Sequence, residues 1–182
     1  MDVTVHKIFK KENGFTLLEI ISVLVIMGIL AVIAVSRSVN YDTQVYAGAD
    51  VLKSHLRYAQ TLAMNSNPAA IGVPVIWGIS GTGGSYWLFR GINPADTNSY
   101  MRLPEDDTFI NADRTINLTA KKIKFTTGFT IYFDNSGIPY TAYTDTTTNT
   151  PLGNTMTINV QPLNATTPNI AVTITSLTGY IP

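Results

Sequence analysis

The chain has 182 residues, enough for one domain with a buried core and short for two. Lysine and arginine together number 12, as do aspartate and glutamate, so no overall charge attracts the protein to nucleic acid or to an anionic membrane surface. Cysteine is absent, which excludes disulfide bonds, a thiol nucleophile and thiolate metal sites.

Residues 15–35 form an apolar run whose single charge is Glu19. About 20 such residues in a helix span roughly 30 Å, the thickness of the hydrocarbon core of a bilayer. The run is longer than the apolar part of a cleaved secretory signal peptide. A mildly basic flank precedes it, which predicts a cytoplasmic N-terminus and a periplasmic or extracellular remainder. We therefore expect a transmembrane helix over 15–35.

Glu19 requires a positively charged partner, because a carboxylate inside a membrane segment costs about 2.5 kcal/mol or more. No lysine or arginine lies between Lys11 and Arg37, so the partner must come from elsewhere. Cleavage just before Phe15 would create an α-amino group at a suitable depth, and Gly14 is flexible enough to extend into a protease site. These residues therefore predict processing between Gly14 and Phe15.

The segment KKENGFTLLE, residues 10–19, resembles the leader and cleavage motif of type IV pilins and type II secretion pseudopilins. The resemblance implies that a prepilin peptidase removes residues 1–14 as a cytoplasmic leader, with Gly14 as its last residue, and methylates the new N-terminal Phe15. It also implies that Glu19 neutralises the amino terminus of a neighbouring subunit during filament assembly. The alternative is an ordinary signal anchor with a chance glutamate.

A helical pattern continues after the apolar run, and we assign residues 36–67 to a stalk helix that continues into the head. Its predicted buried stripe is Ala47, Val51, Leu52, Leu56, Ala59, Leu62 and Ala63. The sequence Asn-Ser-Asn-Pro at 65–68 predicts the end of the helix, because proline disfavours helix in the residue before it. Residues 49–67 also resemble the corresponding helix of the GspH/FimT group of minor pseudopilins.

Residues 68–182 are predicted to form a β-rich globular head. Strands are predicted over 71–79, 86–89, 100–103, 122–126, 130–133, 155–161 and 170–177. The segments SGTGGS, FDNSGIP and NTPLGN predict turns. The GspH/FimT resemblance extends through IYFDNSGIP and VTITSLTGY. The predicted fold class is α+β, with a long N-terminal helix, transmembrane in its first half and amphipathic in its second, packed on a mainly antiparallel sheet.

Few residues of the head suggest catalysis. His55 lies beside the apolar stripe and is predicted to pack there, with a Ser-His-Asp triad as the alternative. Glu105, Asp106 and Asp107 are predicted to form a solvated acidic loop, with paired acid–base carboxylates as the alternative. Residues 81–85 lack the lysine of a phosphate loop and are predicted to be a turn. We expect no catalytic residue and no cofactor.

Metal ions and nucleic acids are two further ligand classes to consider. The acidic loop at 105–107, with Asp96, Asn98 and Asp113 nearby, offers oxygen ligands for Ca²⁺, but the spacing fits no EF-hand pattern, so no metal site is predicted. Nucleic-acid binding needs several cations near phosphates, and no lysine or arginine follows Lys124. Lys122 and Lys124 are predicted to share one solvent-facing side of a strand. A nucleic-acid partner is therefore not expected.

The resemblance implies a structural subunit and not an enzyme: a minor pilin or pseudopilin of a type IV pilus or a type II secretion pseudopilus. It implies a single-pass protein of the bacterial inner membrane with a periplasmic head, found in a filament after assembly. The expected partners are other pilin or pseudopilin subunits, prepilin peptidase and the inner membrane, with no small-molecule substrate. The alternatives are a signal-anchored periplasmic β-rich enzyme or ligand-binding module, and an adhesin-like tip subunit that uses Trp77, Trp87 and the many exposed tyrosines.

Overall fold

The computed structural model describes residues 15–38, 41–66 and 75–182, which form two helices and ten strands. The chain divides into two compact units, Met1–Asn40 and Tyr41–Pro182. The predicted leader, 1–14, lies outside the described residues.

Helix α1 belongs to the first unit and spans Leu17–Ser38. Its first turn contains Glu19, and the residues that follow are mostly apolar. Within the ranges that the structure describes, no helix is both long enough and apolar enough to cross a membrane. The transmembrane assignment of 15–35 therefore stays a prediction.

Helix α2, Tyr41–Met64, packs on both sheets of the second unit. Its buried apolar residues recur at helical spacing and are Val45, Ala49, Leu52, Leu56, Ala59 and Ala63. The predicted stripe is confirmed at Leu52, Leu56, Ala59 and Ala63, and Leu62 is partly buried. Ala47 is exposed and Val51 only partly buried, because the stripe runs through Val45 and Ala49 instead. The helix ends at Met64, as the Asn-Ser-Asn-Pro sequence predicts.

Ten strands follow in the second unit. They are β1 (Trp77–Gly81), β2 (Ser85–Arg90), β3 (Tyr100–Met101), β4 (Ile116–Asn117), β5 (Ile123–Phe125), β6 (Phe129–Phe133), β7 (Pro139–Tyr143), β8 (Asn149–Pro151), β9 (Met156–Pro162) and β10 (Ile170–Ile174). The larger sheet has the order β3-β2-β1-β6-β7-β8, with β4 also paired to β2, and the smaller sheet has the order β10-β9-β5. Every pairing is antiparallel, which confirms the predicted α+β class with antiparallel sheets.

Two hydrophobic clusters stabilise this unit. The first lies between α2 and residues of both sheets, and includes Ile79, Leu88 and Val172. The second is mainly aromatic and consists of Ile76, Phe89, Tyr100, Tyr132, Tyr140 and Tyr143. Because successive residues of a strand point to opposite faces, Leu88 and Phe89 of β2 enter different clusters. The larger sheet is therefore buried on both faces near its centre.

The predicted strand pattern is correct for most of the head but wrong in three places. The first strand begins at Trp77, after the non-strand residues Val75 and Ile76, while 71–74 lie outside the described residues. Strands β4 and β7 were not predicted at all. The predicted turn NTPLGN begins with β8, which pairs with β7. Strands β4 and β8 have only two and three residues, too few for an alternating pattern to be detected.

Candidate functional site

The start of α1 is fixed by Thr16. Its side-chain oxygen accepts a hydrogen bond from the backbone N–H of Glu19 at 3.2 Å, and its carbonyl accepts from the N–H of Ile20, also at 3.2 Å. Thr16 is thus the N-cap of the helix and Glu19 its third residue, the spacing found in a capping box. Sequence reasoning missed this role of Thr16. The signal was present, since a threonine three residues before a glutamate opens the apolar run.

Apolar side chains cover the described part of α1 on all sides. From Phe15 to Val32 every large apolar side chain is at least 50 % exposed, and Phe15 itself is 80 % exposed. A helix that is apolar all round is typically buried in a core or in a membrane. The first unit therefore presents an exposed apolar surface along the described part of its helix.

The predicted processing and assembly residues fall at the start of this helix. Phe15 precedes α1 by two residues, Glu19 lies in the first turn, and Gly14 is outside the described residues. Phe15 and Glu19 line one shallow groove along the helix together with Ile20, Val23 and Leu24. The positive end of the helix dipole favours a carboxylate in the first turn. The structure thus places Glu19 beside Phe15, and the roles assigned to these residues stay predictions.

Comparison with known proteins gives one finding at this segment. Residues 9–35 match the family model of the prokaryotic N-terminal methylation motif. The motif supports a type IV pilin-like protein and indicates a substrate of a prepilin-type peptidase that assembles with other pilin subunits. The motif suggests a structural protein. No curated protein and no solved structure matches the chain.

His55 is a buried packing residue with a defined hydrogen-bonding pattern. Its side chain is 3 % exposed, more deeply buried than the sequence predicted. Nε2 lies 3.3 Å from the Pro104 carbonyl, which can only accept, so Nε2 carries the proton. The Tyr86 hydroxyl then donates to Nδ1 at 2.8 Å. Burial lowers the pKa of His55 and raises that of Tyr86, so both groups are neutral at pH 7.

The acidic segment 105–107 is solvated at Asp106 and Asp107, as the sequence predicted, but not at Glu105. Glu105 forms an ion pair with Lys121, and these side chains are only 12 % and 14 % exposed. Asp106 accepts hydrogen bonds from Thr108 and begins a short 3₁₀ turn. Asp107, in contrast, is an exposed partner of Arg102. The prediction failed for Glu105 because its partner is 16 residues away in the sequence.

The lysine segment does not form the predicted two-lysine strand face. Strand β5 begins at Ile123, and Lys122 lies in the preceding turn with φ of 59°. Lys121 pairs with Glu105, and its ammonium group lies 4.7 Å from the centre of the Phe109 ring. Of this segment, only Lys124 occupies a strand position. The prediction that Lys122 and Lys124 share one face of a strand is therefore wrong.

The residues considered as calcium ligands have local structural roles. Asp96 accepts from the backbone N–H of Asn98 at 3.0 Å, and Asp113 accepts from the backbone and hydroxyl of Thr115. In the part of the chain that the structure describes, no group of three or more acidic or histidine residues is arranged to hold a metal ion.

The two tryptophans considered as tip contacts already have internal partners. The indole N–H of Trp77 donates to the Ser66 hydroxyl at 2.9 Å, and that of Trp87 donates to the Pro94 carbonyl at 2.8 Å. Trp87 also stacks on Tyr100, with 5.3 Å between ring centres. Both side chains are partly buried. Of the aromatic residues considered for tip contacts, these two tryptophans therefore have structural roles within the head, and the exposed tyrosines stay untested.

Proposed function

We propose that this chain is a minor pilin or pseudopilin, a structural subunit of a type IV pilus or of a type II secretion pseudopilus. A prepilin peptidase cleaves it between Gly14 and Phe15 and methylates the amino group of Phe15. The observation that carries the proposal is the methylation motif over 9–35. The finer assignment to a GspH/FimT-like subunit rests on the resemblance of residues 49–67 and of the segments IYFDNSGIP and VTITSLTGY.

Assembly in this proposal proceeds through α1. The helix spans the inner membrane with the leader in the cytoplasm and the head in the periplasm, and it enters the filament when its exposed side chains pack against those of neighbouring subunits. Leu17, Leu18 and Ile21, all at least 50 % exposed, belong to this packing surface. Dispersion contacts and the release of lipid from these side chains favour the packed state.

Glu19 gives the assembly its polarity and register. In lipid an unpaired carboxylate and an unpaired ammonium group are each costly, and the cost falls when the two charges meet. Cleavage before Phe15 creates the ammonium group near the start of a neighbouring α1. The Glu19 carboxylate of one subunit then pairs with the amino terminus of another, which selects one axial offset between helices.

The first test is the mass and N-terminal residue of the membrane-extracted protein, in hosts with and without a prepilin peptidase. We expect a chain that begins at N-methylated Phe15 only when the peptidase is present. A chain that still begins at Met1 in both hosts, or one cut elsewhere, would refute the proposal.

The second test separates assembly from membrane insertion. Replacing Glu19 by alanine should leave the amount of membrane-inserted, processed protein unchanged and strongly reduce its share in sheared filaments. Ser22→Ala is a matched control in the same helix, because Ser22 is exposed and its hydroxyl bonds only to the preceding turn, at the Leu18 carbonyl. Normal incorporation of Glu19→Ala would contradict the pairing mechanism.

A further inference from the structure

A groove in the head lies between the first turns of α2 and the segment that leads into β5. This head groove has a volume of about 230 Å³, and its walls are mostly apolar. Helix α2 contributes Gln44, Ala47 and Val51, and the facing wall contains Phe109, Lys121 and Lys122. The assembly proposed above proceeds through α1 and uses none of these residues, so the groove has no role assigned to it.

Gln44 leaves a hydrogen-bonding atom unsatisfied at the head groove. Its side-chain Oε1 is buried and has no hydrogen-bond partner within the described residues, where it is the one buried side-chain oxygen or nitrogen in this state. Buried polar groups are nearly always paired, because an unpaired acceptor loses its hydration without compensation. Oε1 of Gln44 is therefore an acceptor that the hydroxyl or N–H group of a ligand in the groove can satisfy.

The facing wall of the groove carries a lysine in an uncommon backbone conformation. Lys122 has φ of 59°, in the left-handed region that residues other than glycine rarely adopt. Two backbone hydrogen bonds fix this conformation: the Lys122 N–H donates to the Thr119 carbonyl at 3.0 Å, and the Leu163 N–H donates to the Lys122 carbonyl at 2.9 Å. Such strain persists only where the surrounding structure imposes it, and it is frequent where side chains meet ligands.

Lys122 also supplies the uncompensated charge of the head groove. Its neighbour Lys121 is paired with Glu105 and lies over the Phe109 ring. Lys122 is exposed, and within the described part of the chain no carboxylate lies at ion-pairing distance from it. A cation, an unpaired acceptor and an apolar wall thus line the same space. A ligand that matches all three is anionic, carries a hydrogen-bond donor and has an apolar part.

We propose that the head groove binds an anionic phospholipid of the phosphatidylglycerol kind. The phosphate lies at the Lys122 ammonium group, a hydroxyl of the head group donates to Oε1 of Gln44, and the start of an acyl chain lies against Ala47 and Val51. The inference rests on the proposed function, in which α1 lies in the inner membrane, and it adds a specific lipid contact made by the head.

The covalent chain favours a lipid over a soluble anion. Helix α2 begins at Tyr41, three residues after α1 ends at Ser38. Gln44 follows Ser38 by six residues, and six extended residues span at most about 21 Å. With α1 in the bilayer, Gln44 is therefore within reach of the lipid head groups. A free phosphate would leave the apolar wall uncovered, whereas an acyl chain buries it.

Native mass spectrometry of the detergent-extracted full chain measures this binding. Phosphatidylglycerol and phosphatidylcholine with the same acyl chains are added at equal concentration, and the two lipid-bound fractions are compared. Phosphatidylcholine is the control lipid, because its head group has no net charge and no hydrogen-bond donor. We expect about fivefold more bound phosphatidylglycerol, the effect of one lysine on an anionic lipid. The protein mass in the same spectrum shows whether the chain begins at Met1 or Phe15, so failure of this inference is distinguished from failure of the proposed processing.

Two pairs of variants locate the lipid in the head groove. Lys122→Gln should lower the phosphatidylglycerol-bound fraction about fivefold and leave phosphatidylcholine unchanged. Lys124→Gln is its control, because Lys124 lies in β5 and does not line the groove. Ala47→Phe fills the groove and should also abolish the preference for phosphatidylglycerol. Ala142→Phe, at an exposed position of β7, should leave that preference intact.

Competition with glycerol phosphate separates a lipid site from a site for soluble anions. This compound carries phosphate and hydroxyl groups without acyl chains, so at the concentration of the lipid it should not displace it. Tryptophan fluorescence checks that each variant is folded. The proposal is overturned if the parent binds both lipids equally, if a folded groove variant binds like its control, or if glycerol phosphate displaces the lipid at equal concentration.

Discussion

Replacing Tyr86 by phenylalanine isolates the energy of one buried hydrogen bond in the head. The aromatic ring remains to pack against Phe125, at 5.7 Å between ring centres, but the hydroxyl that donates to Nδ1 of His55 is lost. Since Nε2 already donates to the Pro104 carbonyl, Nδ1 becomes a buried acceptor without its donor. Such a group costs about 1–3 kcal/mol, so we expect the free energy of unfolding to fall by about 2 kcal/mol.

Urea unfolding of the detergent-extracted full chain, followed by tryptophan fluorescence, measures this change. Trp77 and Trp87 are the chain's two tryptophans and both lie in the head, so the signal reports on that unit. Tyr58→Phe is the matched control, because Tyr58 is 38 % exposed and an exposed substitution of this kind changes stability by less than about 0.5 kcal/mol.

A double variant tests whether the loss comes from the unpaired nitrogen. Replacing His55 by leucine together with Tyr86→Phe removes donor and acceptor at once, so the double variant should be less destabilised than the sum of the two single variants. If Tyr86→Phe proves as stable as Tyr58→Phe, or if the two changes are additive, the hydrogen-bond assignment of His55 is wrong.

Three further predictions concern the same unit. Burial lowers the pKa of His55 below 6.5, so near that pH the unfolded chain binds more protons than the folded chain. The contribution of His55 to the free energy of unfolding should therefore be constant above about pH 6.5 and fall as the pH drops below it, by at most about 1.4 kcal/mol per pH unit. In a pH series of urea unfolding, His55→Gln should remove this contribution. Gly78→Ala should destabilise the head by about 3 kcal/mol or more, because a Cβ there would lie 2.4 Å from a backbone oxygen of β6. Gly153→Ala is the control, since a Cβ at Gly153 has no neighbour within 4 Å, and in a thermal scan it should melt within a few degrees of the parent. Arg57→Met removes two hydrogen bonds to the Ile181 carbonyl, at 2.8 and 3.2 Å, and should lower the free energy of unfolding by about 1 kcal/mol. Amide hydrogen exchange in the C-terminal segment should increase, and unchanged exchange would contradict the view that Arg57 holds this segment in place.

Local patterns were enough to predict the elements that depend on neighbouring residues. The helical repeat of α2 and its end at Met64 follow from residues within one or two turns, and the β1–β2 hairpin follows from its glycine-rich turn. The fold class followed from these elements. Strand order did not, because pairing of β1 with β6 joins residues about 50 positions apart and has no local signal.

The polar groups of the head were harder to predict for the same reason. His55 was predicted to pack beside the apolar stripe and Glu105 to be solvated, and each has a partner distant in sequence that no local pattern indicated. A charged or polar residue can be buried when a partner is supplied, and the partner is specified by the tertiary fold. Sequence could therefore indicate which residues were unusual but not which contacts made them so.

The N-cap at Thr16 separates the proposed cleavage position from the start of α1. The bond proposed for cleavage lies before Phe15, and the helix begins only at Leu17. On the side of this bond that the structure describes, Phe15 and Thr16 are not helical and precede α1. The helix would then keep its length and its cap when residues 1–14 are removed, and the new amino group would place a positive charge two residues before its first turn.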